Sequence, residues 1–227
     1  MTTRAVVARP RAWGLFRGPL RRQFDRLAPG WEARLGPEAL IPLDAALDRL
    51  TEPPRRVLDL GTGTGKAARV VAKRFPLAEV VGVDLSPAMI EEARRVLPAE
   101  LSGRVRFEVA DASRLPFEDG AFDLVVLLNM IPFFEQLARV TTPGGRVAAA
   151  SSFGPQTPIY VPPETLRKHL APLGFADFEE LTAGEGIAFL ATRKGRVKGC
   201  PPSGVRGAVA PARTSFFRAG VSSGNSR

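Results

Sequence analysis

Residues 57–65, Val-Leu-Asp-Leu-Gly-Thr-Gly-Thr-Gly, decide how the chain is read. Val57, Leu58 and Leu60 form a short apolar run of the kind that makes a buried strand. Gly61, Gly63 and Gly65 then break it at alternate positions, and a helix-forming stretch, Lys66 to Lys73, follows. Strand, glycine turn and helix bring bare backbone up to a ligand. Glycine turns where a side chain would collide, and the unpaired amides of the helix's first turn favour a carboxylate or phosphate. Spacing narrows the ligand. A dinucleotide fingerprint requires glycine at position 66, which is Lys66. A phosphate loop requires glycine at 60 and a hydroxyl at 67, where Leu60 and Ala67 stand. What remains is D-x-G-x-G-x-G, from Asp59 to Gly65.

Downstream, apolar runs and helical periods alternate. The second strand, Val80 to Val83, ends at Asp84, and Ser86-Pro87 opens a helix with Ser86 as N-cap and Pro87 in its first turn. The third strand, Val105 to Val109, runs into Ala110-Asp111-Ala112, and the fourth, Phe122 to Leu128, into Asn129. A short helix over Phe134 to Val140 leads through Pro143-Gly144-Gly145 to a fifth strand, Arg146 to Ala150. Strands and helices at this interval predict an α/β, doubly wound, mostly parallel sheet with helices on both faces. Phe175 to Leu181 and Ile187 to Thr192 are two more strands, and the link between them is so short that they must pair antiparallel. Ligands of such sheets sit beyond the carboxyl ends of the strands.

Before the first strand, apolar positions Leu40, Leu43, Ala46, Leu47 and Leu50 predict a helix over residues 37–50. A second helix is expected from Phe24 to about Trp31, closed by Pro29-Gly30. The domains expected are a basic arm over residues 1–23, a folded domain over 24–194 and a disordered basic tail over 195–227.

Charge follows that division. Of the net +9, residues 1–34 hold eight arginines against Asp25 and Glu32, and residues 193–227 hold eight basic residues and no acid. The stretch between has 16 basic and 21 acidic residues, so the folded region is acidic and nucleic acid is a poor partner for it. The single Cys200 excludes an internal disulfide framework and a cysteine-based zinc site, and no metal is expected. No apolar run reaches the roughly 20 residues of a membrane span. No continuous apolar segment follows the first arginines either, so a cytoplasmic setting is expected.

The run from Ala110 to Asp123, Ala-Asp-Ala-Ser-Arg-Leu-Pro-Phe-Glu-Asp-Gly-Ala-Phe-Asp, is the most specific in the chain. Together with Asp59 to Gly65 and with Ala138 to Gly145 it resembles the small-molecule branch of the class I S-adenosylmethionine-dependent methyltransferases, over about residues 24–194. The resemblance implies a seven-stranded sheet of order 3-2-1-4-5-7-6 with an antiparallel last strand. It implies S-adenosylmethionine as cofactor and a small-molecule methyl acceptor. By position, Gly61, Gly63 and Gly65 would hold the methionine part, with Asp59 placing its amino group. Asp84 would take the ribose hydroxyls, and Asp111 with Ala112 the adenine. Leu85 and Met89 would pack on the adenine face, and Asn129 fills the fourth-strand position.

Methyl transfer from a sulfonium is an in-line displacement governed by positioning, and a general base is optional. No catalytic residue is assigned. His169 and Tyr160 are the candidates, His169 on a solvated helix and Tyr160 between the fifth strand and that helix. Asn129 is followed by Met130-Ile131-Pro132 rather than the Pro-Pro-aromatic run of relatives that methylate amides and adenine. The segment from Asn129 to Gly144 is shorter than usual in the family, and no substrate domain is inserted. A lid would therefore come from the N-terminal residues, with Phe24 and Trp31 as walls. Two other readings stay open: a methyltransferase acting on RNA or protein through the basic ends, and a non-catalytic cofactor-binding scaffold. The oligomeric state is not indicated.

Overall fold

Successive strand residues point to opposite faces, and here both faces are apolar. Val57, Val80, Val105, Leu124, Val126 and Ala148 join one core, and Leu58, Leu60, Val81, Val83, Val125 and Val147 join the other. Such strands need helices on both sides. A computed structural model, which describes residues 2–195, shows that arrangement.

The strands are β1 (Arg56–Leu60), β2 (Glu79–Asp84), β3 (Val105–Val109), β4 (Phe122–Leu128), β5 (Thr141–Ser151), β6 (Phe175–Ala183) and β7 (Gly186–Arg193). Their order is β3-β2-β1-β4-β5-β7-β6; the first five run parallel and β7 pairs antiparallel with both neighbours. The helices are α1 (Thr2–Ala8), α2 (Trp13–Leu27), α3 (Trp31–Arg34), α4 (Ile41–Asp48), α5 (Lys66–Arg74), α6 (Pro87–Arg95), α7 (Phe134–Val140) and α8 (Pro163–Leu170). α4, α5 and α6 cover one face through Leu43, Leu47, Val71 and Ile90, while α7 and α8 cover the other through Leu137 and Leu170.

Sequence expectation and structure coincide for the strand order and for α7. They differ at three places. β5 begins at Thr141, five residues early: Thr141 pairs with Phe122, and the register then slips across Pro143-Gly144-Gly145 before Arg146 pairs with Leu124. The helix expected over 37–50 is a 3-10 turn, Pro37–Leu40, followed by α4. The largest difference is at the start. The expected boundary between arm and domain at 23/24 falls inside α2, and Val6 and Trp13 in the supposed arm are buried in the core. Residues 196–227, nearly all of the expected tail, lie outside the described residues.

Candidate cofactor and acceptor site

A cavity of about 540 Å³ opens beyond the carboxyl ends of β1, β2 and β4. Its floor is the strand ends and the glycine turn: Asp59, Gly61 to Thr64, Val83, Asp84, Ala110, Ala112 and Asn129. Its roof is the chain before β1, through Trp13, Leu20, Phe24, Leu27, Trp31 and Leu35. Met130, Ile131, Phe153, Pro158 and Ile159 close the side beside β4 and β5.

The glycine turn is held by its own strand neighbours. The amides of Gly61 and Thr62 both donate to the Val83 carbonyl, at 2.9 Å each, which folds the loop over the end of β2. Gly61 has φ +75° and touches Met130; a Cβ there would lie 2.5 Å from the Met130 sulfur. Gly65, also at positive φ, starts α5 and faces away from the cavity; a Cβ on it would meet the Phe107 ring at 2.5 Å. Of the three glycines expected at the cofactor, Gly61 and Gly63 line the cavity and Gly65 supports it from behind.

Asp59 is 1% exposed. Its Oδ2 accepts from Thr62 Oγ1 at 2.6 Å and from the Ala68 amide at 2.9 Å. Its Oδ1 has no partner. Burial raises its pKa to about 6 against the lowering effect of those two bonds, and the nearby Asp84 charge adds to the rise. A buried carboxylate oxygen left unpaired beside a cavity is an incomplete site, and an ammonium group completes it. This fits the amino-acid end of S-adenosylmethionine.

Asp84 closes β2. Its Oδ2 accepts from the Gly63 amide and its Oδ1 from the Ser86 amide, each at 2.9 Å. Burial raises its pKa although these bonds oppose the shift. Each oxygen keeps a lone pair for a hydroxyl donor. Ser86 accepts from the Met89 amide as N-cap of α6 and donates to Asp25 of α2, at 2.6 Å. Leu85 and Met89 stand beside Asp84 on the cavity wall.

Asp111 is placed differently from the other acids. It is not part of the cavity wall, although Ala110 and Ala112 on either side are. Its Oδ1 accepts from the Trp13 indole at 2.8 Å and from the Ser113 amide and hydroxyl, and its Oδ2 accepts from Arg17 at 3.4 Å. Burial raises its pKa, but the bonds from Ser113, Trp13 and Arg17 outweigh that and leave it below the ordinary carboxylate value. The indole of Trp13, which does line the cavity, stands where the expected adenine partner was sought.

Asn129 adopts a left-handed φ of +54°, which asparagine tolerates. Its side chain donates to Ser152 Oγ at 2.8 Å and accepts from the Ser152 amide at 2.9 Å, clasping the ends of β4 and β5. Phe24 and Trp31 form part of the roof as expected and meet edge to face at 5.7 Å. Tyr160 and His169 do not reach the cavity; His169 stacks on Phe134 at 4.5 Å.

Sequence reading missed Trp13, Leu20 and Glu32. Glu32 pins the roof to the floor, accepting from Thr64 Oγ1 and pairing with Arg69 at 3.0 Å, while Lys66 donates to the Glu32 carbonyl at 2.6 Å. The 110–123 segment earns its regularity structurally. Arg139 of α7 donates to the Leu115 carbonyl at 2.8 Å, and Phe117 packs edge to face on Phe122 at 5.0 Å.

A 3-2-1-4-5-7-6 sheet with a glycine turn after β1 and an acid closing β2 defines the class I methyltransferase fold. Residues 57–145 match the family model described as a methyltransferase domain. The chain is 46% identical over 113 residues to a demethylmenaquinone methyltransferase of Thermus thermophilus, covering 46% of this chain and 49% of that one. It is 40% identical over 147 residues to a malonyl-[acyl-carrier protein] O-methyltransferase of Halorhodospira halophila, covering 61% and 49%. The chain thus spans about half the length of these relatives. A solved S-adenosylmethionine-dependent methyltransferase from Aquifex aeolicus superposes with a TM-score of 0.61 at 18% identity, covering 73% of this chain and 98% of that one. By fold, and by sequence over residues 57–145, the chain is similar to the class I S-adenosylmethionine-dependent methyltransferases.

Proposed function

We propose that the protein transfers a methyl group from S-adenosylmethionine to a small, largely apolar acceptor. The observation that carries the cofactor half is the orphaned Asp59 Oδ1, buried at the glycine turn in the same cavity as Asp84. Asp59 would hold the ammonium group, Asp84 the ribose hydroxyls, and Leu85 and Met89 the flat face of the base. The bound cofactor supplies an electrophilic methyl on a sulfonium. The chain's task is to hold the acceptor in line and to exclude water.

The acceptor half rests on the remaining wall. Leu20, Phe24, Leu27, Met130, Ile131, Phe153 and Ile159 are apolar, and the charged groups on the cavity wall are Arg34, Asp59, Lys66 and Asp84. Asp59 and Asp84 belong to the cofactor end, and Lys66 is spent on the Glu32 and Leu35 carbonyls. An acceptor that fits brings its own nucleophile, an electron-rich carbon or a phenolic oxygen, and is steered by packing. The demethylmenaquinone acceptor of one relative is consistent with this. A cytoplasmic setting is part of the proposal: the single Cys200 supports it, and no described helix is long and apolar enough to cross a membrane.

Calorimetry with S-adenosylmethionine and S-adenosylhomocysteine tests the cofactor half, with micromolar-range binding expected and Asp84→Ala severely weakening it. A screen of polar and lipid-soluble metabolite extracts with labelled cofactor tests the other half. Transfer confined to polar metabolites would reject the apolar acceptor.

A further inference from the structure

Helix α2 separates the cavity from solvent, and its two sides differ sharply. Trp13, Phe16, Leu20, Phe24 and Leu27 recur at three- and four-residue spacing and face inward, packing on the core or lining the cavity. At 100° per residue, Leu15, Arg22 and Arg26 fall on the opposite side, Arg11 lies in the 3-10 turn Pro10–Ala12 just before the helix, and all four are exposed. Leu15, in the middle of that stripe, is 78% exposed.

The charge on this side is uncompensated. The segment up to Arg34 holds two acids, and both are turned inward: Asp25 accepts from Ser86, and Glu32 engages Thr64 and Arg69. Among the described side chains, Arg9, Arg11, Arg21, Arg22 and Arg26 form no ion pair. The outer surface of the roof is therefore cationic with one large apolar residue at its centre.

We propose that this face of α2 docks on an anionic lipid bilayer, bringing the roof of the cavity to the layer where an apolar acceptor dissolves. The docking stands on the surface alone; the delivery of acceptor rests on the reading given under Proposed function. A cationic helix that lies in the headgroup plane with an apolar side chain inserted is a recognised mode of interfacial binding. Nucleic acid is the poorer fit, because the aromatic residues of α2 face inward and none is offered for stacking on a base. An acidic protein would satisfy the arginines but give Leu15 no acyl layer to enter.

The test is co-sedimentation of the full chain with vesicles of phosphatidylcholine, alone or mixed with phosphatidylglycerol. Each arginine near an anionic surface contributes a factor of about five to partitioning. The triple variant Arg11→Gln, Arg22→Gln, Arg26→Gln should bind the mixed vesicles about 100-fold more weakly than the parent. Leu15→Glu should also lower binding, and the parent's binding should collapse between ~0.1 M and ~1 M salt as screening shortens from ~10 to ~3 Å. None of these four residues touches the cavity, so S-adenosylhomocysteine affinity should be unchanged and reports that each variant is folded. Equal binding of the triple variant and the parent would overturn the proposal and assign any lipid affinity to the basic residues after 193. Indifference to Leu15→Glu, with RNA or an acidic peptide competing the vesicles away, would also overturn it in favour of a plain polyanion surface. A parent that binds mixed vesicles but no S-adenosylhomocysteine would leave the docking intact and refute the proposed function.

Discussion

Binding of the cofactor should tighten as pH rises toward 6 and then level off, because of Asp59. In the free protein its carboxyl has a pKa of about 6, raised from 3.8 by burial with one oxygen unpaired. An ammonium group at that oxygen favours the ionised form, so the pKa falls on binding and a proton is released. At pH 5 about a tenth of the free protein is ionised, so affinity for S-adenosylhomocysteine should be about tenfold weaker than at pH 7. Asp84 is raised in the same sense, so the contrast must be isolated at Asp59. Asp59→Asn should bind more weakly at pH 7 and lose most of the pH dependence. 5′-Methylthioadenosine, which keeps the ribose but lacks the amino-acid end, should retain only the dependence due to Asp84, in the parent and in Asp59→Asn alike. The stability of the free protein moves the opposite way. A carboxyl whose folded pKa lies above its unfolded one is favoured while protonated, so its contribution is full below pH 3.8 and is lost as pH rises through 6. That loss amounts to about 3 kcal/mol from a shift of this size, so Asp59→Asn should melt no lower than the parent at pH 7.5. Calorimetry in two buffers of different ionisation enthalpy measures the released proton directly. Affinity flat from pH 5 to 7, with no proton released, would refute the role assigned to the unpaired oxygen.

Other outcomes follow from neighbouring contacts. Thr62→Val deletes the hydroxyl that donates to Asp59 Oδ2, so the midpoint of the binding curve should move to higher pH, read by the same calorimetry. Gly65→Ala places a Cβ against Phe107 at a φ of +82° and should cost roughly 1–3 kcal/mol in denaturant unfolding. Ser152→Ala removes a buried hydroxyl that bonds both Asn129 and the Ala39 carbonyl; a loss of about 1–3 kcal/mol in thermal unfolding is expected. Glu32→Gln weakens the tie between roof and glycine turn, so release of S-adenosylhomocysteine should accelerate in stopped-flow measurements.

The centre of the sheet was legible because three of its strands end on a punctuating residue: glycine follows β1, Asp84 closes β2 and Asn129 follows β4. The short connection between β6 and β7 allowed only antiparallel pairing. The first 23 residues were misread for a physical reason. Their arginines, Gly14, Gly18 and Pro19 look like a solvated arm, and they mask the apolar spacing of Trp13, Phe16, Leu20 and Phe24 that builds α2. Asp111 shows the other limit. Its position after β3 was readable, but the indole that meets it comes from a residue 98 positions earlier, and only the tertiary fold brings them together. For Gly65, sequence could not distinguish a glycine that admits a ligand from one that admits the Phe107 ring.

The ties of Trp13 to Asp111, Asp25 to Ser86 and Glu32 to Thr64 bind the roof at three separate points along the cavity. Lifting that roof clear of a spent nucleoside requires all three fastenings to release together. Turnover would then be clocked by how often the first 35 residues lift, and two acceptors of different chemical reactivity would be consumed at the same pace.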